Sequence, residues 1–154
     1  MDSKEIWISN FINCMRYYQK INGITKQCLT NVQFLYGILI DNFNYDKKRF
    51  EVKTVIVFSA STGIVCIHLV LQFDDFIIDP SYEIFSITDR EYYSSIGDLF
   101  YNKKISLSKE YIKLFLSFIS LANRMNKGEY LVANKLFYNK QADYVEKNIY
   151  KYKM

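Results

Sequence analysis

Ile64 to Tyr82 reads IVCIHLVLQFDDFIIDPSY, and the pairing of this stretch with itself decides the fold. The apolar run Ile64–Phe73 and the short run Phe76–Ile78 read as two strands, with Asp74-Asp75 as the turn between them. A two-residue loop sets Phe73 opposite Phe76 and therefore Val70 opposite Asp79. Residues directly opposite share a sheet face, as do residues two apart on one strand. His68, the only histidine of the chain, and Asp79 then become diagonal neighbours on one face. Their backbones would lie roughly 7–8 Å apart, within reach of each other's side chains. A three-residue loop would place them on opposite faces instead.

Upstream, Phe50–Ala60 is a strand rich in Val, Ile and Phe, and Ser61-Thr62-Gly63 turns it into the hairpin. Three antiparallel strands are expected, roughly 50–59, 64–73 and 76–79. Their near-continuous hydrophobicity indicates a sheet covered on both faces. Two helices precede them. Ser3–Gln19 carries Ile8, Phe11, Ile12, Met15 and Tyr18 at helical spacing, with Ser3 as N-cap and Cys14 as a small core residue. After the polar connection 21–27, a second helix runs from about Cys28 to Ile40, with Val32, Leu35, Tyr36 and Leu39 on one face. Asp41–Arg49 reads as a loop.

Downstream, Pro80–Lys104 is irregular and aromatic, and reads as a long loop with short turns and room for one short helix. Ser108–Asn126 is a strongly periodic helix through Tyr111, Ile112, Phe115, Phe118, Ile119, Ala122 and Met125, stopped by Gly128. A weaker helix follows over 129–149, with Ala133, Leu136, Phe137, Tyr144 and Val145 on its apolar side. The whole, residues 1–154, reads as one α+β domain, with a core over 22–82 and a helical C-terminal part over 106–150.

Composition narrows the function classes. An aromatic fraction of 18% and a half-apolar chain exclude a disordered segment. The scarcity of Gly, Pro and Ala beside abundant Ile, Asn, Lys and Tyr suggests an AT-rich genome, so single Lys or Asn residues carry little weight. Residues 1–100 hold 9 basic and 12 acidic groups, whereas 101–154 hold 11 and 4. That basic third, with lysines among Tyr138, Tyr144, Tyr150 and Tyr152, offers a surface for nucleic acid or another acidic partner. A solvated lysine face is the simpler reading. Cys14, Cys28 and Cys66 are an odd number without C-x-x-C spacing, which fits neither a disulfide framework nor a zinc site. The opening MDSKEIWISN lacks a signal-peptide core, and no apolar run approaches the ~18 residues of a membrane span. The expectation is a cytoplasmic protein without metal or cofactor; no glycine-rich phosphate loop is present.

Taken alone, His68 or Cys28 fits a structural role. Together they have another meaning: a cysteine at a helix start, then a histidine on a strand, then an acid on the next strand. Thiolate catalysis needs those parts, a sulfur of lowered pKa, a base to hold the proton, and a group to orient the base. A helix N-terminus lowers a thiol's pKa through its unpaired amides and dipole.

In this order, Gln27-Cys28-Leu29-Thr30-Asn31, His68 and Ile77-Ile78-Asp79-Pro80-Ser81 resemble the transglutaminase-like branch of the papain-like cysteine enzymes. The resemblance covers roughly residues 22–82. It implies a nucleophile helix packed on a small antiparallel sheet, with further helices at the C-terminus. It also implies a Cys28–His68–Asp79 triad for acyl transfer from an amide, as a peptidase, deamidase or amidohydrolase working through a thioester. The substrate would be a protein, a peptide or a small amide. The oxyanion donors would be the Cys28 N–H with Asn22, standing six residues before the cysteine where papain-like proteases carry glutamine, or with Gln27. Asn31 recurs at its place in small relatives of the fold, and Cys66 and Tyr82 would line the site. Leu29 and Leu69-Val70 replace an aromatic residue and a tryptophan common in the family, which points away from protein crosslinking. Trp7 reads as core. The rival expectation is a binding module that docks a protein or nucleic acid around a decayed triad.

Overall fold

A computed structural model describes residues 3–24, 31–37, 47–63, 65–74, 76–80, 89–129 and 135–148. Within them the chain is mixed α and β. Helix α1 (Ser3–Ile21) and helix α2 (31–37) precede strands β1 (Phe50–Ser59), β2 (Val65–Phe73), β3 (Phe76–Ile78) and β4 (Arg90–Tyr93). Helices α3 (Ile96–Lys103), α4 (Lys109–Asn126) and α5 (Lys135–Asn148) complete it. The sheet is antiparallel, in the order β3-β2-β1-β4.

The hairpin has the register that a two-residue loop demands. Phe73 pairs with Phe76, Gln72 with Ile77 and Leu71 with Ile78. Asp74 takes a left-handed conformation, φ 51°, which aspartate tolerates better than most residues. Arg49, just ahead of β1, locks the turn. Its Nη2 and Nε donate to the two carboxylate oxygens of Asp74 at 2.6 and 3.2 Å, and its guanidinium lies 4.5 Å from the Phe73 ring centre. The Arg49 fork holds the Asp74 carboxyl below the usual carboxylate range. At the other end, Gly63 at φ +70° closes the β1–β2 turn and donates to the Ser59 carbonyl at 2.8 Å.

Alternation divides the sheet into two faces. One carries Phe50, Val52, Ile56, Leu69, Leu71 and Ile78, and α4 packs on β1 and β2. The other carries Val55, Val57, Cys66, His68 and Val70, brought together by the pairs Val55–His68, Val57–Cys66 and Lys53–Val70. Both faces are buried, in agreement with the continuous hydrophobicity of β1 and β2.

Helix α2 departs from the one-sided pattern read from its sequence. Asn31, Val32, Gln33, Phe34, Leu35 and Tyr36 are all buried, the signature of a helix enclosed on every side. Phe34 meets Phe11 of α1 with ring centres 5.2 Å apart. α1 ends in a Schellman arrangement: Gly23 is left-handed at φ +65° and the Ile24 amide donates back to the Gln19 carbonyl at 2.8 Å. Ser3 is already helical, so the cap position lies outside the described residues, as does the Trp7 side chain.

Two further readings are corrected. The stretch expected as an irregular loop contains β4, which pairs with β1 from Ile56–Tyr93 to Ser59–Arg90. Four residues with two adjacent charges carry no apolar alternation, and docking on the edge of β1 creates this strand. Leu136, assigned to the apolar side of the last helix, is 66% exposed; Val145 is buried as expected, and the polar Gln141 is buried with it. The short helix anticipated in that loop is α3, capped by Ser95, whose hydroxyl accepts from the Asp98 amide at 3.0 Å. Ser108 caps α4 in the same way.

Asn126, the last residue of α4, binds β1 as a strand would. Its Oδ1 accepts from the Val52 amide at 2.7 Å and its Nδ2 donates to the Val52 carbonyl at 2.9 Å. Asn126→Ala is expected to lower the unfolding free energy by about 1–2 kcal/mol, because two part-buried backbone groups lose their partners. A denaturant midpoint moved at unchanged slope measures it.

Candidate functional site

The face that holds His68 also holds Asp79. Residue 79 lies one step beyond β3, and continuing the Leu71–Ile78 register puts it opposite Val70. The side chains meet: His68 Nε2 and Asp79 Oδ1 are 2.8 Å apart, with side-chain exposures of 8% and 1%. A carboxylate so deeply buried must be held by donors. It has a second one in Tyr92 of β4, whose hydroxyl donates to Asp79 Oδ2 at 3.0 Å. With Nε2–H turned to the carboxylate, the imidazole carries its basic lone pair on Nδ1.

Tyr92 was not legible as a site residue, since its strand was not. In a flat sheet, β3 and β4 would lie about 14 Å apart, three strand spacings of 4.7–4.9 Å. The Tyr92–Asp79 bond joins residues from these two edges, so the sheet curls toward this face. Beneath the bond lie Val55, Val57 and Val70, with Cys66, Ile77 and Tyr92 packed against them.

A cavity of about 320 Å³ opens farther along the same face, lined by Val57, Ser59, Ser61, Thr62, Cys66, Asp89 and Arg90. Val57 and Cys66, which line it, form the pair two rungs along from Val55–His68. It thus begins about 7 Å along β2 from His68, two residues at 3.4 Å each. Cys66, half-buried, lines this space. Asp89 forms the rim, with the hydroxyls of Ser61 and Ser59 donating to its Oδ2, the latter at 3.1 Å. Those hydroxyls, with a backbone bond from Ser61 and the charge of Arg90, hold the Asp89 carboxyl below its usual range.

The other expected residues are distributed as follows. Asn31 opens the described part of α2 and is buried. Its Oδ1 accepts from Gln19 Nε2 at 2.6 Å, and the same nitrogen donates to Gln141 Oε1 of α5 at 2.7 Å. Three helices are thereby tied together three residues after Cys28. Asn22 is exposed, and its Nδ2 donates to the Tyr18 carbonyl at the end of α1, 2.9 Å away. Gln27, Cys28 and Tyr82 lie outside the described residues. Cys14 is buried in α1, which pushes its thiol up to about 11. Among the described residues no three His, Cys, Asp or Glu side chains gather as metal ligands, and no helix is long and apolar enough to cross a membrane. In the basic third, Tyr144 packs on Tyr18 with ring centres 5.1 Å apart, which commits one of its aromatic rings to the interior side of α5.

Comparison of the chain with protein-family models, with curated proteins and with solved structures finds no match.

Proposed function

We propose that this chain is a cysteine-dependent acyl-transfer enzyme of the transglutaminase-like kind, acting on the amide of a protein, a peptide or a small molecule. The observation that carries the reading is the buried His68–Asp79 pair, oriented with Nε2 on the carboxylate. Cys28 stands forty residues before His68 and three before Asn31, the first described residue of α2, which is tied to Gln19 and through it to Gln141.

In this mechanism His68 Nδ1 holds the proton of Cys28 and Asp79 stabilises the imidazolium. The thiolate attacks the carbonyl carbon, forming a C–S bond and an oxyanion, which backbone and side-chain donors near Cys28 stabilise. The oxyanion collapses as the C–N bond breaks, and the amine leaves with the proton from His68. Water or a second amine then gives a proton to Nδ1 and attacks the thioester, and the C–S bond breaks to restore the thiolate. The cavity farther along β2 would receive a group of the substrate away from the scissile amide, with an apolar floor and a rim of hydroxyls and opposite charges.

Iodoacetamide alkylation, followed cysteine by cysteine across pH by mass spectrometry, tests the reading. Cys28 is expected to reach its half-maximal rate well below pH ~8.5, the value of an ordinary thiol. An activated aryl ester should acylate it stoichiometrically. Cys14 should stay slow throughout, since burial keeps it a thiol. A Cys28 that titrates near 8.5 and forms no acyl adduct would make the chain a non-catalytic binding module.

A further inference from the structure

We propose that Tyr92 is a positioning residue of this site, setting the proton affinity of His68 through Asp79. This rests on the acyl-transfer reading for its consequence in catalysis, though not for its physical basis. The two carboxylate oxygens of Asp79 have separate donors, Oδ1 facing His68 Nε2 at 2.8 Å and Oδ2 facing the Tyr92 hydroxyl at 3.0 Å. The donors come from the same face but from different strands, β2 and β4, with β1 between them. Tyr92 is fixed in turn by its pairing with Val57 and by packing on the valine layer below it.

A carboxylate held at one oxygen can swing about its Cβ–Cγ bond; held at both, it presents Oδ1 to the imidazole in one orientation. The same hydroxyl draws on the negative charge that stabilises the imidazolium, because two donors share one anion. Tyr92 therefore tightens the geometry and restrains the basicity. The titratable or charged groups on this face, among the described residues, are Asp79, Tyr92, Cys66 two residues along β2, Lys53 and Arg90, and the exposed Glu51 opposite Gln72 at the far end of β1. Lys53 donates to Gln72 at 3.1 Å, and Arg90 belongs to the cavity rim beside Asp89. Asp79 has both His68 and Tyr92 as hydrogen-bond partners.

Because the chain has one histidine, its imidazole gives a single set of NMR signals. In Tyr92→Phe the ring remains to cover the valines while the donor is lost. The His68 titration midpoint is expected to rise by about half a unit to one unit, a three- to tenfold gain in proton affinity. In an Asp79→Asn background the same substitution should leave the midpoint unmoved, because its path has been removed. A Tyr92→Phe midpoint within about 0.2 unit of the parent's, or below it, overturns the proposal. Should that variant not fold, the parent protein still answers. Its Tyr92 hydroxyl proton should give a slowly exchanging, downfield resonance, and a fast-exchanging hydroxyl overturns the proposal. A shifted midpoint in a protein whose Cys28 titrates normally would uphold the Tyr92 link and reject the enzyme. An activated Cys28 with an unmoved midpoint would do the reverse.

Discussion

Replacing His68 with alanine is expected to return the alkylation midpoint of Cys28 to about 8.5 and to cut aryl-ester turnover by about 10²–10⁴-fold. Both follow from losing the imidazole base. Without an imidazolium partner the thiolate is no longer favoured, and without Nδ1 no group takes the proton of the water that cleaves the thioester. The midpoint is a better readout than the rate at one pH. A thiolate of low pKa is also a weaker nucleophile, so the gain in ionised fraction and the loss of reactivity partly cancel. His68→Gln separates chemistry from folding. Its side-chain amide can still donate to Asp79, so the fold should survive while the base is gone. Alkylation that keeps its low midpoint in both variants would exclude His68 as the partner of Cys28.

Asp79→Ala should have the largest effect on stability. It withdraws one acceptor from two donors, the His68 ring and the Tyr92 hydroxyl, in a place where the carboxylate side chain is only 1% exposed. Stranding a buried donor costs about 1–3 kcal/mol, so the loss is expected near 3 kcal/mol. In a chain of this size that corresponds to a fall of about 6–12 °C in Tm. Asp79→Asn keeps the shape and one acceptor oxygen, but turns an NH₂ group toward a donor, and should fall between parent and alanine. Thermal unfolding followed by circular dichroism measures the series. Equal stability of all three proteins would mean that the pair contributes nothing to the fold. The pair would then be maintained for function alone.

These two experiments bear on a pair that could be read from sequence for a local reason. Asp74-Asp75 separates two apolar runs by two residues, and strand side chains alternate with a period of two. Turn length alone then decides whether His68 and Asp79 share a face. The bounds of α4 were legible for a similar reason, since Ser108 and the apolar periodicity are both local signals. Tyr92 was not, because β4 exists through its pairing with β1 more than thirty residues away in sequence. Nor was the enclosure of α2. Asn31 and Gln33 look like solvent positions until Gln19 and the surrounding helices are placed about them. The proposed meeting of Cys28 with His68 would be of that long-range kind too. It depends on how a helix start is seated against a sheet, which no spacing encodes, and Cys28 falls outside the described residues.

The side-chain amide of Asn126 has a consequence for how the protein behaves in a crowded solution. Among the described residues β4 covers β1 only from Ile56 to Ser59, and no other described strand pairs with the half beginning at Phe50 on that side. An open, apolar strand edge is a template on which another chain can add a strand, the first step of aggregation. By occupying both the amide and the carbonyl of Val52, Asn126 takes the rung that an incoming strand would need first. One residue at the end of a helix thus guards the sheet against self-association, and a protein lacking it would be more prone to precipitate even while still folded.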